Sequence, residues 1–314
     1  MNISLLARKY RGAILQSRVS PVSRPAVLLT LVLAVIGLVA SIATKFTFAS
    51  LPNIAPVVLG VVVLDVLSRF APQTRLAEAV QTVLYGVLYL LITILCGIVA
   101  AYAMQRFAFP LQDKLYASID TALGFDWPAY AHWVDRHLGV QRVFHFAYDT
   151  LQIQIALPLV VLAFAHRIAD VRAYLLAFTI AFIVTIVVSA LLPAAGPIVF
   201  VDRAGFDILR FTGATPLEHL MRLREAGPLV LAEPPGGIAT FPSFHATIAV
   251  LTPLALRRFH RTFLVLVVLD AAMLGGTITE GAHYFIDLVA GVGVALLAYG
   301  LATRIIQAED GPRS

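Results

Sequence analysis

The chain has 314 residues, of which 60% are hydrophobic and 13% charged, and its mean hydropathy is +0.87. These values exclude a soluble globule and define an integral membrane protein. The net charge of +5 does not indicate a nucleic-acid partner, because the basic residues fall in short clusters at the ends of apolar runs, a distribution that reads as membrane topology.

Residues 1–25 form a basic leader with Arg8, Lys9, Arg11, Arg18 and Arg24. It is long and no small-x-small cleavage site follows it directly, so it reads as a cytoplasmic leader and not as a secretory signal. About eight apolar segments of spanning length follow, near 26–44, 52–68, 78–104, 143–165, 172–192, 242–257, 262–279 and 282–303. The first two make an N-terminal transmembrane hairpin within 26–77. Cys96, in the third, reads as a small buried hydrophobe, and a single cysteine excludes a disulfide or cysteine-based metal site within the chain. Residues 111–138 alternate apolar side chains with Asp113, Lys114, Asp120, Asp135 and Arg136 and hold Trp127, Tyr130 and Trp133. That pattern predicts one or two interfacial helices, either a lid or an aromatic belt. The sixth segment is short and contains Pro253, but Arg257, Arg258 and Arg261 give it a firm end. The tail is 304–314. No internal repeat or low-complexity tract is present.

If every segment spans, Arg69 with Arg75, Arg167 with Arg172, the Arg257 cluster and Arg304 share one side with the leader. The long loops at 105–142 and 193–241 lack a basic excess. Both termini are therefore expected in the cytoplasm and the long loops outside.

Two histidines start apolar helices on that outer side, in Phe241-Pro242-Ser243-Phe244-His245 and in Gly281-Ala282-His283-Tyr284-Phe285-Ile286-Asp287. The four-residue spacing of His283 and Asp287 predicts both side chains on one helix face, where a carboxylate orients the imidazole. Ser243 is the natural N-cap of the sixth helix, and Gly236 with Gly237 let the preceding loop approach closely. Two helix N-termini and two imidazoles form an expected phosphate pocket. Tyr148 and Asp149 are candidates for its headgroup wall, and Glu280 either tunes His283 or faces water. Asp270, mid-span in the seventh segment, is expected to face the bundle, protonated or hydrogen-bonded. Asp65 and Arg69 read as a local ion pair. His132, His137, His145, His166, His219 and His260 read as solvated or interfacial.

Pro242-Ser243-Phe244-His245 followed by His283-Tyr284-Phe285-Ile286-Asp287 resembles the second and third motifs of the type 2 phosphatidic acid phosphatase (PAP2) superfamily. Gly124-Phe125-Asp126-Trp127-Pro128, the Tyr148 region and Pro193-Ala194-Ala195-Gly196-Pro197 are similar to its inositol phosphorylceramide synthase branch, and His-Tyr-x-x-Asp to sphingomyelin synthases. The resemblance spans about 78–303 and implies an all-α membrane fold, a six-helix catalytic core preceded by the hairpin. It implies His283 as the nucleophile on phosphorus, Asp287 as its orienting carboxylate and His245 as the proton donor, with no metal or other cofactor.

The superfamily's phosphatases carry a Lys and an Arg-Pro in a first motif, and an Arg six residues before the nucleophilic His. Here Thr277 holds the latter position, and none of Lys9, Lys45 and Lys114 starts such a motif. Arg203, Arg210, Arg222 and Arg224 of the outer loop are the candidate phosphate ligands. The missing clamp favours a lipid phosphotransferase, moving a phospho-headgroup such as inositol phosphate from a phospholipid donor to a ceramide-like or other lipid alcohol. The alternatives are a lipid phosphate or pyrophosphate phosphatase using water, and a non-catalytic transporter or lipid-binding scaffold.

Overall fold

The computed structural model describes residues 20–49, 55–69, 74–200, 214–233 and 235–311. Its helices are α1 (Arg24–Thr44), α2 (Ala55–Arg69), α3 (Arg75–Gln105), α4 (Asp113–Ala122), α5 (Trp127–Arg136), α6 (Leu138–Asp149) and α7 (Leu151–Phe164). They continue as α8 (Ile168–Leu191), α9 (Ala214–Leu223), α10 (Phe244–Leu256), α11 (His260–Glu280) and α12 (Phe285–Asp310). A short strand after α1, β1 (Phe46–Phe48), pairs in parallel with β2 (Leu229–Leu231), Phe46 opposite Leu229. This pairing, unforeseen in the sequence, ties the end of α1 to the 193–241 loop. Arg106 strengthens the tie by donating to Leu223 O, Glu225 O, Thr44 O and Gly227 O.

Among the described residues α1, α3, α8, α11 and α12 are single helices long and apolar enough to cross a membrane. The expected span at 143–165 is instead α6 and α7, bent by 52°. Thr150 makes the bend: its N–H turns back to Ala147 O at 3.2 Å and its hydroxyl donates to the same carbonyl at 2.6 Å, so the ladder tightens and breaks. The segments expected at 52–68 and 242–257 are helices of 15 and 13 residues, shorter than the roughly 20 a bilayer needs.

The most buried of the five long spans, α8, supplies Tyr174, Leu175, Leu176 and Phe178 to the main core, against Leu159 and Leu162 of α7, Ile248 and Leu251 of α10 and Ala295 and Ala302 of α12. The outward faces keep large apolar side chains such as Leu28, Ile42, Val268 and Leu297 exposed, the surface a lipid solvent requires. α1 and α2 both pack on α3, and α1 also on α8. In place of hydrophobic contrast, polar contacts bind these helices. The Tyr89 hydroxyl of α3 contacts Thr30 of α1 at 3.0 Å and Thr179 of α8 at 2.5 Å, and donates to Ala26 O at 3.0 Å.

The bundle has two chemically distinct ends. At one, Arg172 of α8 pairs with Glu309 at 2.6 Å and with Asp310, and Arg257 donates to the Tyr299 hydroxyl. At the other, α10 and α12 begin side by side: Ser243 N–H donates to Asp287 O at 2.9 Å and the Thr247 hydroxyl lies 3.1 Å from Gly291 O. A β-carbon at Gly291 would lie 2.4 Å from Ser243 O, so only glycine permits this approach. Gly291→Ala is expected to cost about 1–3 kcal/mol, read as a lower thermal midpoint of the detergent-solubilised protein. Gly293→Ala, whose added carbon meets nothing within 4 Å, should leave the midpoint unchanged or raise it.

Candidate active site

Ser243 has the extended conformation of an N-cap, and its hydroxyl accepts the Ala246 N–H at 3.4 Å. It is fully buried and sits behind the site as a helix cap. His245 follows in the first turn of α10. The second histidine differs from expectation: α12 starts at Phe285, so His283 precedes the helix and does not share a helical face with Asp287. The reason is a cap. Asp287 Oδ2 accepts the Tyr284 N–H at 3.0 Å, starting the helix after Tyr284, and the same oxygen meets His283 Nδ1 at 3.0 Å. A carboxylate only accepts, so Nδ1 is the donor and Nε2 keeps its lone pair. Ala282, with a left-handed φ of 49°, turns the chain sharply into His283, a conformation costing a non-glycine residue about 1–2 kcal/mol. A β-carbon at Gly281 would stand 3.2 Å from Nε2 and 2.6 Å from Cδ2, so this glycine keeps the approach to Nε2 open.

The short helices α4 and α5, expected at 111–138 as a lid or belt, hold this turn in place. Asp120 accepts from Phe285 N–H at 2.7 Å and Ile286 N–H at 2.9 Å. Burial pushes the Asp120 carboxyl above the usual carboxylate range, and those two N–H groups act in the opposite sense. Asp113 accepts from Ala195 N–H, Gly196 N–H and the Tyr284 hydroxyl at 2.9–3.1 Å. The buried Trp127 indole donates to Ile278 O and His283 O, both at 3.2 Å. These carboxylates occupy the donors at the start of α12. The expectation that both helix N-termini receive phosphate is therefore corrected: only the first turn of α10 keeps donors, the N–H groups of Phe244 and His245, without an acceptor among the described residues.

A cavity of about 510 Å³ opens at this end. Its polar lining includes His145, Tyr148, Asp149, His245, Glu280 and His283, and Gly236 and Gly237 also line it. The Tyr148 ring stacks on His245 with centroids 4.0 Å apart and planes 11° apart. Five sequence candidates, His245, His283, Tyr148, Asp149 and Glu280, thus line one cavity, with Asp287 and Ser243 supporting from behind. His145, expected to be solvated or interfacial, is more than half exposed at the cavity mouth, and there it also bridges Glu280 Oε2 at 3.1 Å and Asp149 Oδ2 at 3.4 Å. Its signal was available: His145 and Asp149 repeat the four-residue spacing of His283 and Asp287.

The arginine candidates fare differently. Arg222 pairs with Glu233 at 2.7 Å, and Arg224 donates to Ala108 O and Phe109 O, so neither reaches the cavity. Arg203 and Arg210 lie outside the described residues, as do the side chains of Asp65 and Arg69. Asp270 is buried, as expected, but not among the lining residues. Among those residues no three His, Cys, Asp or Glu side chains converge as metal ligands would.

Asp120→Asn keeps one acceptor oxygen and turns an NH2 toward the second backbone N–H. One donor at the start of α12 is then buried unpaired, a loss of about 1–3 kcal/mol. Both the thermal midpoint and the turnover number should fall, because His283 hangs from that turn.

A family model described as the PAP2 superfamily matches residues 115–301, from α4 to α12, and includes both histidine motifs. Comparisons with curated proteins and with solved structures give no match. The family match covers more than half of the chain, and it sets aside the transporter or scaffold reading. The chain belongs to the PAP2 superfamily, as a multi-pass membrane enzyme of the lipid phosphatase or phosphotransferase type.

Proposed function

We propose that the chain is a lipid phosphotransferase of the inositol phosphorylceramide synthase branch, moving a phospho-headgroup, inositol phosphate in the first instance, from a phospholipid to a ceramide-like or other lipid alcohol. The observation that carries this reading is that His283 and His245 line one cavity while Asp287 holds the far nitrogen of His283 from behind. In the first step His283 Nε2 attacks phosphorus, the bond from phosphorus to the diacylglycerol oxygen breaks, and His245 delivers a proton to that oxygen. Asp287 stabilises the imidazolium that forms. In the second step the acceptor hydroxyl gives its proton to His245 and attacks phosphorus, and the phosphorus–nitrogen bond breaks, restoring His283.

Tyr148, Asp149 and Glu280 form the headgroup wall in this reading. The charge developing on the phosphoryl oxygens is met by the first-turn N–H groups of α10 and, from the outer loop, by Arg203 and Arg210. The catalytic core in this reading is 78–303, and the basic clusters at the opposite end of the bundle support a topology with both termini in the cytoplasm and the cavity outside. Among the described residues the cavity has no Lys or Arg in its walls, which supports transfer over the clamp-dependent hydrolysis of the phosphatases. One observation favours the second reading, a lipid phosphate phosphatase: the His145 and Asp149 side chains are 61% and 64% exposed, so water reaches the cavity mouth.

Purified protein incubated with mixed phospholipids and lipid alcohols separates the two by mass spectrometry. The expected products are diacylglycerol and a new phospholipid built on the acceptor; release of inorganic phosphate alone would contradict transfer. His283→Ala should lower turnover by at least about 10³-fold with either acceptor.

A further inference from the structure

The cavity continues away from the histidines into the bundle, between α3 and α8, where Gly97, Ile98 and Ala101 stand with Phe182, Thr185 and Ile186 in its walls. Thr185 lies six residues before the end of α8, so this lobe reaches roughly 9 Å below the helix ends. Its walls are apolar except for Tyr102, whose hydroxyl is already bonded to His219 and Gly236, and Thr185. Five threonines inside helices return their hydroxyl to the carbonyl four residues earlier, Thr82, Thr179, Thr247, Thr277 and Thr303, and others bond to a neighbouring helix, Thr30 to Tyr89 and Thr252 to Gln154 O. Thr185 does neither. It is 1% exposed and its hydroxyl has no partner among the described residues. Of the buried side-chain atoms without a partner, this is the one whose residue lines the cavity. A buried donor left unpaired is unfavourable in an apolar wall and becomes favourable when a ligand brings an acceptor.

We propose that the lobe between α3 and α8 is a subsite for the acyl region of a lipid, with the Thr185 hydroxyl donating to an acyl carbonyl oxygen. The apolar side chains take the chain, and the Thr185 hydroxyl sets the depth at which the carbonyl stops. The reaching end of the same cavity then holds the headgroup beside His245 and His283. The inference rests on the lipid phosphotransferase reading for the identity of the ligand. The carbonyl has two chemical sources, the ester of a glycerolipid or the amide of an N-acylated sphingoid lipid.

Binding measured without turnover separates this subsite from the chemistry. In the His283→Ala background, dissociation constants are measured by native mass spectrometry for a diacyl phospholipid, its dialkyl ether counterpart and an N-acyl sphingoid alcohol. Thr185→Val, which matches threonine in shape, should weaken binding of at least one carbonyl-bearing lipid by about tenfold, the worth of one hydrogen bond. Thr185→Ser should bind like threonine, and the dialkyl lipid should bind all three proteins equally. The arm that loses affinity identifies ester or amide as the source. Unchanged affinity for all lipids, or an equal loss for the dialkyl lipid, would overturn the subsite. Failure of the phosphotransferase reading shows separately, as release of inorganic phosphate alone by the protein with His283 and Thr185 intact. Thermal midpoints of both Thr185 variants guard against misfolding, and a loss in Thr185→Val that Thr185→Ser repeats would also overturn it.

Discussion

A helix that begins within a membrane protein exposes N–H groups that lipid cannot satisfy, and at α12 carboxylates satisfy them. Asp287 takes the Tyr284 N–H, and Asp120, from a helix 165 residues away in sequence, takes those of Phe285 and Ile286. Asp113 fixes the neighbouring chain by accepting from Ala195, Gly196 and the Tyr284 hydroxyl. This arrangement decides where α12 starts, and so leaves His283 just outside the helix with Nδ1 bound and Nε2 toward the cavity. It also consumes the positive end of that helix, so the site differs from a simple anion pocket between two helix N-termini.

The two histidines are held by different physics. His283 is tied by a hydrogen bond to a fully buried carboxylate. His245 lies flat against Tyr148 and contacts no carboxylate among the described residues. A carboxylate-bound imidazole is stabilised when it gains charge, whereas a stacked one without a counter-charge gives up a proton readily. The proposed division into nucleophile and proton carrier follows from that contrast. Glycine completes the geometry, at Gly291 by letting α10 and α12 touch and at Gly281 by leaving the face of Nε2 open.

The membrane class, the approximate helix positions, both cavity histidines and Asp287 were legible because each is a local signal: apolar length, helix-start chemistry and a four-residue spacing. The bend at Thr150 was not, since a helix broken by one threonine has the same hydropathy as an unbroken one. Asp113 and Asp120 read as charges of an interfacial helix, because their partners lie more than 80 residues away. A signal existed nonetheless. Asp113, Tyr116 and Asp120 fall at positions i, i+3 and i+7 and form the buried stripe of α4, where apolar side chains would otherwise be expected. His145 was missed for the opposite reason: its spacing to Asp149 was visible, but nothing local placed Glu280 against its other nitrogen.

In the proposed mechanism His283 Nε2 carries the phospho-headgroup between donor and acceptor. Rapid quenching of the protein with a phospholipid donor in the absence of any lipid alcohol, followed by peptide mapping under alkaline conditions, tests it at the level of a single atom. The expected result is a phospho-headgroup adduct on His283, absent in His283→Ala and accumulating in His245→Ala when the donor has a leaving group that needs no proton. An adduct on another residue, or active protein with no adduct under any quench, would contradict it.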